Sequence, residues 1–256
     1  MEPQIDAELV RMHDEGAPVL TDHRVLDQIR NESVLGLLRA RPKAATATDP
    51  GSGKTPLVCM LEHEEAGYFA DSVCSILSMH TSPQLEAIRF SDGRTVLMKA
   101  VERCGWAAGR EVIAHAPRLL TVSDPSTRTL PIQQVLESFP LDAVYIVPDM
   151  IRAYPESAAT TTDQDLPALL HYFHLLHDPN MQWEDIEEGE EMVRAIAACG
   201  GCKDPAVTAL VKQILAMSAL SIDDEWSFVN ADVFRRMAET PTVGNIVDAF
   251  SRAAFE

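Results

Sequence analysis

The feature that most constrains this chain is a period. Prolines stand at positions 42, 83, 117 and 155, at intervals of 41, 34 and 38 residues. Three of them close the same phrase of two apolar residues, spacers and proline: Leu37-Leu38 before Pro42, Val112-Ile113 before Pro117 and Met150-Ile151 before Pro155. A looser version, Ile76-Leu77 before Pro83, fills the gap. A second set of marks runs in phase. Each proline is followed by a small polar stretch closing on Asp49, Asp92, Asp124 or Asp163, and then by Thr55-Pro56-Leu57, Thr95-Val96-Leu97, Leu130-Pro131-Ile132 or Leu166-Pro167-Ala168. Two markers sharing one drifting period of about 33 to 40 residues identify a repeat, and a repeat of that length is one supersecondary unit that buries its apolar face only by stacking.

The residue types say what the unit is. Proline lacks an N–H and is tolerated in the first helical turn, so Thr-Pro and Leu-Pro read as helix starts. After an apolar periodic run it reads as a helix stop. Each unit is therefore a helix, a short turn, a second helix, a proline-marked exit and an exposed turn, with Asp49-Pro50-Gly51-Ser52-Gly53 and Asp92-Gly93 supplying turn chemistry. First helices are predicted to start near Thr55, Thr95, Leu130 and Leu166, and their partners to end near Met79, Ala116, Ala153 and Ala198. The expected fold class is all-α, a helical repeat solenoid with a helical cap at each end. The repeat stack spans 1–204, with a first cap over about 17–48 and repeats from about 49, 92, 124 and 163. Residues 205–256 form the second cap, continuous with the stack.

Thr55-Pro56-Leu57-Val58-Cys59-Met60 resembles the Thr-Pro-Leu-His-x-Ala start of an ankyrin repeat, as does Gly93-Arg94-Thr95-Val96-Leu97-Met98-Lys99-Ala100. The stretch Met150 to Ala158 is similar to the second-helix exit of a divergent ankyrin subtype. The motif His is replaced by Val58, Met98, Gln133 and Leu169, so the pattern is degenerate throughout. The resemblance implies a non-catalytic scaffold that binds a protein partner on a concave surface made of turn tips and first helices. On that surface it sets Lys54, Arg94, Thr129 and Asp165 at the tips. Glu62, Glu102 and Glu137 stand late in the first helices, followed by His63, Arg103 and Ser138, and Phe173 and His174 take the two places in the fourth unit.

Charge narrows the partner. The chain has 21 Lys and Arg against 39 Asp and Glu, a formal charge of −18. Such a surface repels phosphate backbones and anionic headgroups, which argues against nucleic acid and membrane and for a partner rich in Lys or Arg. Glu62, Glu102 and Glu137 would form an acidic stripe for it. Met1 to Asp14 carries four carboxylates, unlike the basic start of a secretory or transit peptide. Five scattered cysteines do not make a disulfide framework. The expectation is a monomer of the cytoplasm or nucleus, with no cofactor and no metal.

Three features invite other chemistry. Gly51-Ser52-Gly53-Lys54-Thr55 ends like a phosphate-binding loop, but Thr48 stands where its first glycine belongs and no buried strand leads in. Cys199-Gly200-Gly201-Cys202 has the spacing of a zinc or thiol–disulfide pair, and a zinc- or redox-active protein is the rival reading; the bland one is a glycine-capped helix end with small buried thiols. His171, His174 and His177 are spread around a helix rather than converging. The acidic run Glu184 to Glu191 reads as a solvated helix start.

Overall fold

A computed structural model of the chain describes residues 42–48, 50–63, 66–176, 194–199 and 202–220. Most of the first cap (17–41), the end of the second cap (221–256), the acidic run, His177 and Asp49 lie outside the described residues. Those described are mostly helical, with two isolated β-bridges and no strand among them. The chain divides into two compact units, Met1–Thr127 and Arg128–Glu256.

In the first unit α1 (Pro42–Ala45) leads to α2 (Pro56–Glu62), a 3-10 turn (Ala66–Phe69), α3 (Ala70–Leu77) and α4 (Ser82–Ala87). Then come α5 (Val96–His115) and a 3-10 turn (Pro117–Thr121). Leu57, Leu61, Val73, Ile76, Leu97 and Val112 are wholly buried, and α5 packs against α2, α3 and α4. Each such side chain contributes about 1.5–3 kcal/mol by leaving water. The second unit holds α6 (Pro131–Ser138), α7 (Pro140–Ala153), a 3-10 turn (Pro155–Ala159), α8 (Ala168–Leu176), a helical stretch at 194–198 and α9 (Pro205–Leu220). Its buried set includes Ile132, Val144, Ile151, Leu169, Tyr172 and Val211.

Helix starts follow the sequence reading closely. Thr55 and Thr95 are N-caps whose hydroxyls accept from Val58 N and Met98 N, both at 3.4 Å, and Pro56 and Pro131 fill first-turn positions. Leu130 has no such oxygen. There Gln133 reaches back to accept from the Leu130 N–H, satisfying the same donor-rich end from the other side. The partner helices end at Leu77, His115, Ala153 and 198.

The exit prolines do more than stop a helix. Pro42, Pro83, Pro117 and Pro155 each stand in the first turn of a short helix or 3-10 turn, and before the last three a described helix ends. The missing N–H that ends one helix costs nothing at the start of the next. Within α5 the whole turn between its two helical halves is Gly105, at φ 76 and ψ −168, a conformation open in practice to glycine alone.

Helix α7 carries Pro148 in its interior, which deprives the Val144 carbonyl of its helical donor. The hydroxyl of Tyr172, a fully buried residue of α8, donates to that carbonyl at 2.9 Å. One helix thus satisfies the acceptor that proline orphans in its neighbour.

The fourth helix start shows a one-residue slip from the sequence reading. The helix-opening bond runs from Cys59 N to Thr55 O, Lys99 N to Thr95 O, Gln134 N to Leu130 O and His171 N to Pro167 O. The cap of α8 is therefore Pro167, not Leu166, and the caps fall at 55, 95, 130 and 167. Two residues before each cap the backbone is left-handed: Gly53 (φ 71), Gly93 (φ 80), Arg128 (φ 62) and Asp165 (φ 56). Two residues after each cap stands a buried aliphatic: Leu57, Leu97, Ile132 and Leu169. The closing aspartates do not share one place, since Asp92 lies three residues before its cap, Asp163 four and Asp124 six.

A candidate partner-binding surface

Tight turns carry the tips. In the second of the four turns Phe90 N donates to Arg94 O and Gly93 N to Phe90 O, at 3.1 and 2.8 Å. In the fourth Thr162 N donates to Leu166 O and Asp165 N to Thr162 O, at 2.8 and 3.1 Å, on equivalent atoms. The bridges Arg89 to Thr95 and Thr161 to Pro167 close these turns. Gly93 is held by more than its φ, because a Cβ there would meet Pro125 Cγ at 2.9 Å.

The tips of the first unit are tied by charge. Lys54 Nζ lies 2.6 Å from Glu62 Oε2, and Arg94 NH1 lies 3.2 Å from Glu102 Oε2, the same eight-residue reach from tip to helix in both cases. Lys99 adds a second cation to Glu102 at 3.0 Å and meets Asp92 at 2.8 Å. Burial works against the Lys99 charge, but these two carboxylates outweigh it and hold the ammonium pKa above its ordinary value. Arg94 Nε reaches forward to Asp124 Oδ2 at 2.9 Å. Asp124 is buried, which alone would raise its pKa. Hydrogen bonds from the Ser126 hydroxyl and the Thr127 and Ser126 N–H groups, with the Arg94 charge, bring it down to about 2.

The acidic stripe is therefore not a row of open carboxylates. Glu62 and Glu102 already hold intramolecular cations, and in the second unit Glu137 accepts from Asp163 N at 2.9 Å. Gln133 also reaches the following turn there, its amide donating to the Thr161 carbonyl. Sequence spacing set tip and carboxylate on one face, but it could not show that the tip folds back onto the helix.

The remaining expected residues separate by burial. His63 caps the end of α2 and is half-buried, as is Thr129; Ser138, Asp165 and His174 are exposed. Phe173 is buried, at 6% exposure, and does not belong to the surface. The slip explains it: six residues after the caps stand Leu61, Val101, Leu136 and Phe173, all core. His174, seven after, takes the place that Glu62, Glu102 and Glu137 hold elsewhere, and Leu175 follows it.

Between the end of α2 and the turn at 90–92 the first unit has an open cleft of about 380 Å³. Leu61 and Phe90 give it an apolar side, and Lys54, Glu62, Asp92, Lys99 and Arg103 give it charge. Four of these charges are paired as described. In the fifth, Arg103, the Nε is buried and has no hydrogen-bond partner among the described residues. A buried donor left in this state costs about 1–3 kcal/mol, and more when charged.

The other motifs resolve locally. Helix α1 and a turn precede Lys54, which is exposed and bound to Glu62, with its N–H on Ser52 Oγ at 3.3 Å. Asp92 accepts the equivalent bond from Arg94 N at 3.0 Å, so the glycine-rich loop is a tip turn like the one before Thr95. Cys199 and Cys202 are buried, and burial pushes the Cys199 thiol up to about 12, which disfavours the thiolate that metal binding and exchange chemistry need. His171 is buried with Nδ1 3.2 Å from Thr162 Oγ1, and burial lowers its pKa against the pull of Asp163 and Glu137. Among the described residues no helix is long and apolar enough to cross a membrane.

Comparison with known protein families, curated proteins and solved structures found no match to this chain.

Proposed function

We propose that this chain is a non-catalytic interaction scaffold of ankyrin-like repeats, which holds a protein partner on its turn tips and the solvent-facing ends of its first helices. The observation that carries the reading is the fourfold recurrence of one local construction: a left-handed residue, a cap two residues on, and a buried aliphatic two beyond that. Such a construction fixes the backbone and the core while leaving tip side chains free to vary, which suits a surface selected for binding. The same reading has the chain acting as a monomer in the cytoplasm or nucleus. The net charge of −18 favours a partner basic overall, attracted at long range and released by salt.

The experiment is affinity capture by the wild-type chain beside a variant carrying Ser138→Arg and His174→Arg, and one carrying His63→Ala and Lys54→Ala. All are exposed or half-buried positions, so thermal transitions should stay close to wild type. A specific partner should be retained at low salt, released as salt rises, and lost from at least one variant. An identical capture profile for all three proteins would defeat the reading.

A further inference from the structure

The cleft beside Arg103 is built for a charge it does not contain. Its lining brings three cations, Lys54, Lys99 and Arg103, against two carboxylates, Glu62 and Asp92. Lys54 is engaged by Glu62, and Lys99 by Asp92 and Glu102. Arg103 keeps a buried Nε–H with no acceptor among the described residues. A guanidinium presents its donors in a planar fork that matches a carboxylate, and an acceptor arriving there would satisfy a donor the fold leaves unsatisfied.

We infer that this cleft is the subsite for a single Asp or Glu side chain of the partner, received by Arg103 with Lys54 at the rim. The inference rests on the scaffold reading and sharpens it: the partner segment is basic overall but carries one acidic residue that fixes its register. The charge count selects a monoanion. One added carboxylate cancels the single excess cation of the lining, whereas a phosphate dianion would overshoot it and face Glu62 and Asp92. Leu61 and Phe90 supply apolar contact for the methylenes of the same side chain.

The test uses the full chain, labelled with 15N-arginine, and three probes: acetyl-Lys-Lys-Glu-Lys-Lys-amide, its Gln analogue and its phosphoserine analogue. Unspecific attraction to an acidic protein would favour the Gln peptide, which is the more positive. The inference expects the reverse, with the Arg103 Nε–H resonance moving for the Glu peptide and staying for the Gln peptide. Arg103→Gln should weaken the Glu peptide by about tenfold or more, the size expected for one charge-assisted hydrogen bond. Lys54→Gln, at an exposed position, should weaken it severalfold with an unchanged melt, and this keeps the test valid should Arg103→Gln fail to fold. Equal binding of Glu and Gln peptides, or no movement of the Arg103 resonance, overturns the subsite. Tighter binding of the phosphoserine peptide overturns the monoanion assignment. Glu-peptide binding without any captured partner would count against the scaffold and leave the subsite standing.

Discussion

The two units solve one problem with different chemistry. Each must fasten a turn tip to the helix behind it and to the next tip along the chain. The first unit does so with ions: Lys54 to Glu62, Arg94 to Glu102, and Arg94 onward to buried Asp124. The second uses neutral donors and a backbone amide, with Gln133 on Leu130 and Thr161, Glu137 on the Asp163 N–H, and Tyr172 on the Val144 carbonyl. Ion pairs answer to salt and pH, whereas the buried bond from the Tyr172 hydroxyl to the Val144 carbonyl does not.

The largest expected effects treat the units alike. Leu97→Ala and Leu169→Ala empty equivalent core positions and should each destabilise by about 2–5 kcal/mol, measured by denaturant unfolding. A cost under about 1 kcal/mol at either position would mean the two are not equivalent, and the fourfold construction would lose a member. The next effect separates the units. Asp124→Ala should cost about 1.5–3 kcal/mol at neutral pH. Because the folded pKa of Asp124 is depressed from 3.8 to about 2, its contribution is fully present above about pH 4 and fades as pH falls towards 2. Tyr172→Phe leaves the Val144 carbonyl without a donor and should cost about 1–3 kcal/mol, unchanged between pH 2 and 6. If the two variants show parallel pH profiles, the contrast between charged and neutral fasteners fails. The smallest effect is Lys54→Ala. Its pair with Glu62 is half-exposed, so stability should move by no more than about 0.5 kcal/mol in a thermal melt.

Much of this was legible in the sequence, for a physical reason. Threonine caps, first-turn prolines and the residues after them are local choices, each fixed by the backbone within a few positions, so helix starts could be read directly. The fourth start failed by one residue because Leu166-Pro167 copies Leu130-Pro131 in letters but not in geometry. Asp165, at a left-handed φ, occupies the position of Gly53 and Gly93, and a non-glycine residue there gives no obvious signal. That slip moved Phe173 from the core to the surface. The stripe misled for a different reason. Its carboxylates were correctly spaced, but the tip cations on Glu62 and Glu102 stand eight residues back in sequence and the Asp163 N–H on Glu137 stands 26 ahead. Both lie beyond the three- and four-residue neighbours that helix periodicity makes visible, of which Lys99 beside Glu102 is an example here. Arg103 was named among the surface residues, yet its unmet donor is a property of packing that spacing cannot reveal.

The cap positions at 55, 95, 130 and 167 carry one more consequence. The steps between them are 40, 35 and 37 residues, while the geometry around each cap barely changes. The slack is taken up in the connections: a 3-10 turn at Ala66–Phe69 where a lone Gly105 serves further along, and the helix Ser82–Ala87 where Pro117–Thr121 makes a five-residue turn. A chain organised in this way can gain or lose residues outside its packing seam without renegotiating the core, so insertions and deletions become a cheap source of new surface. Length, rather than substitution, is the variable on which such a molecule can diversify most freely.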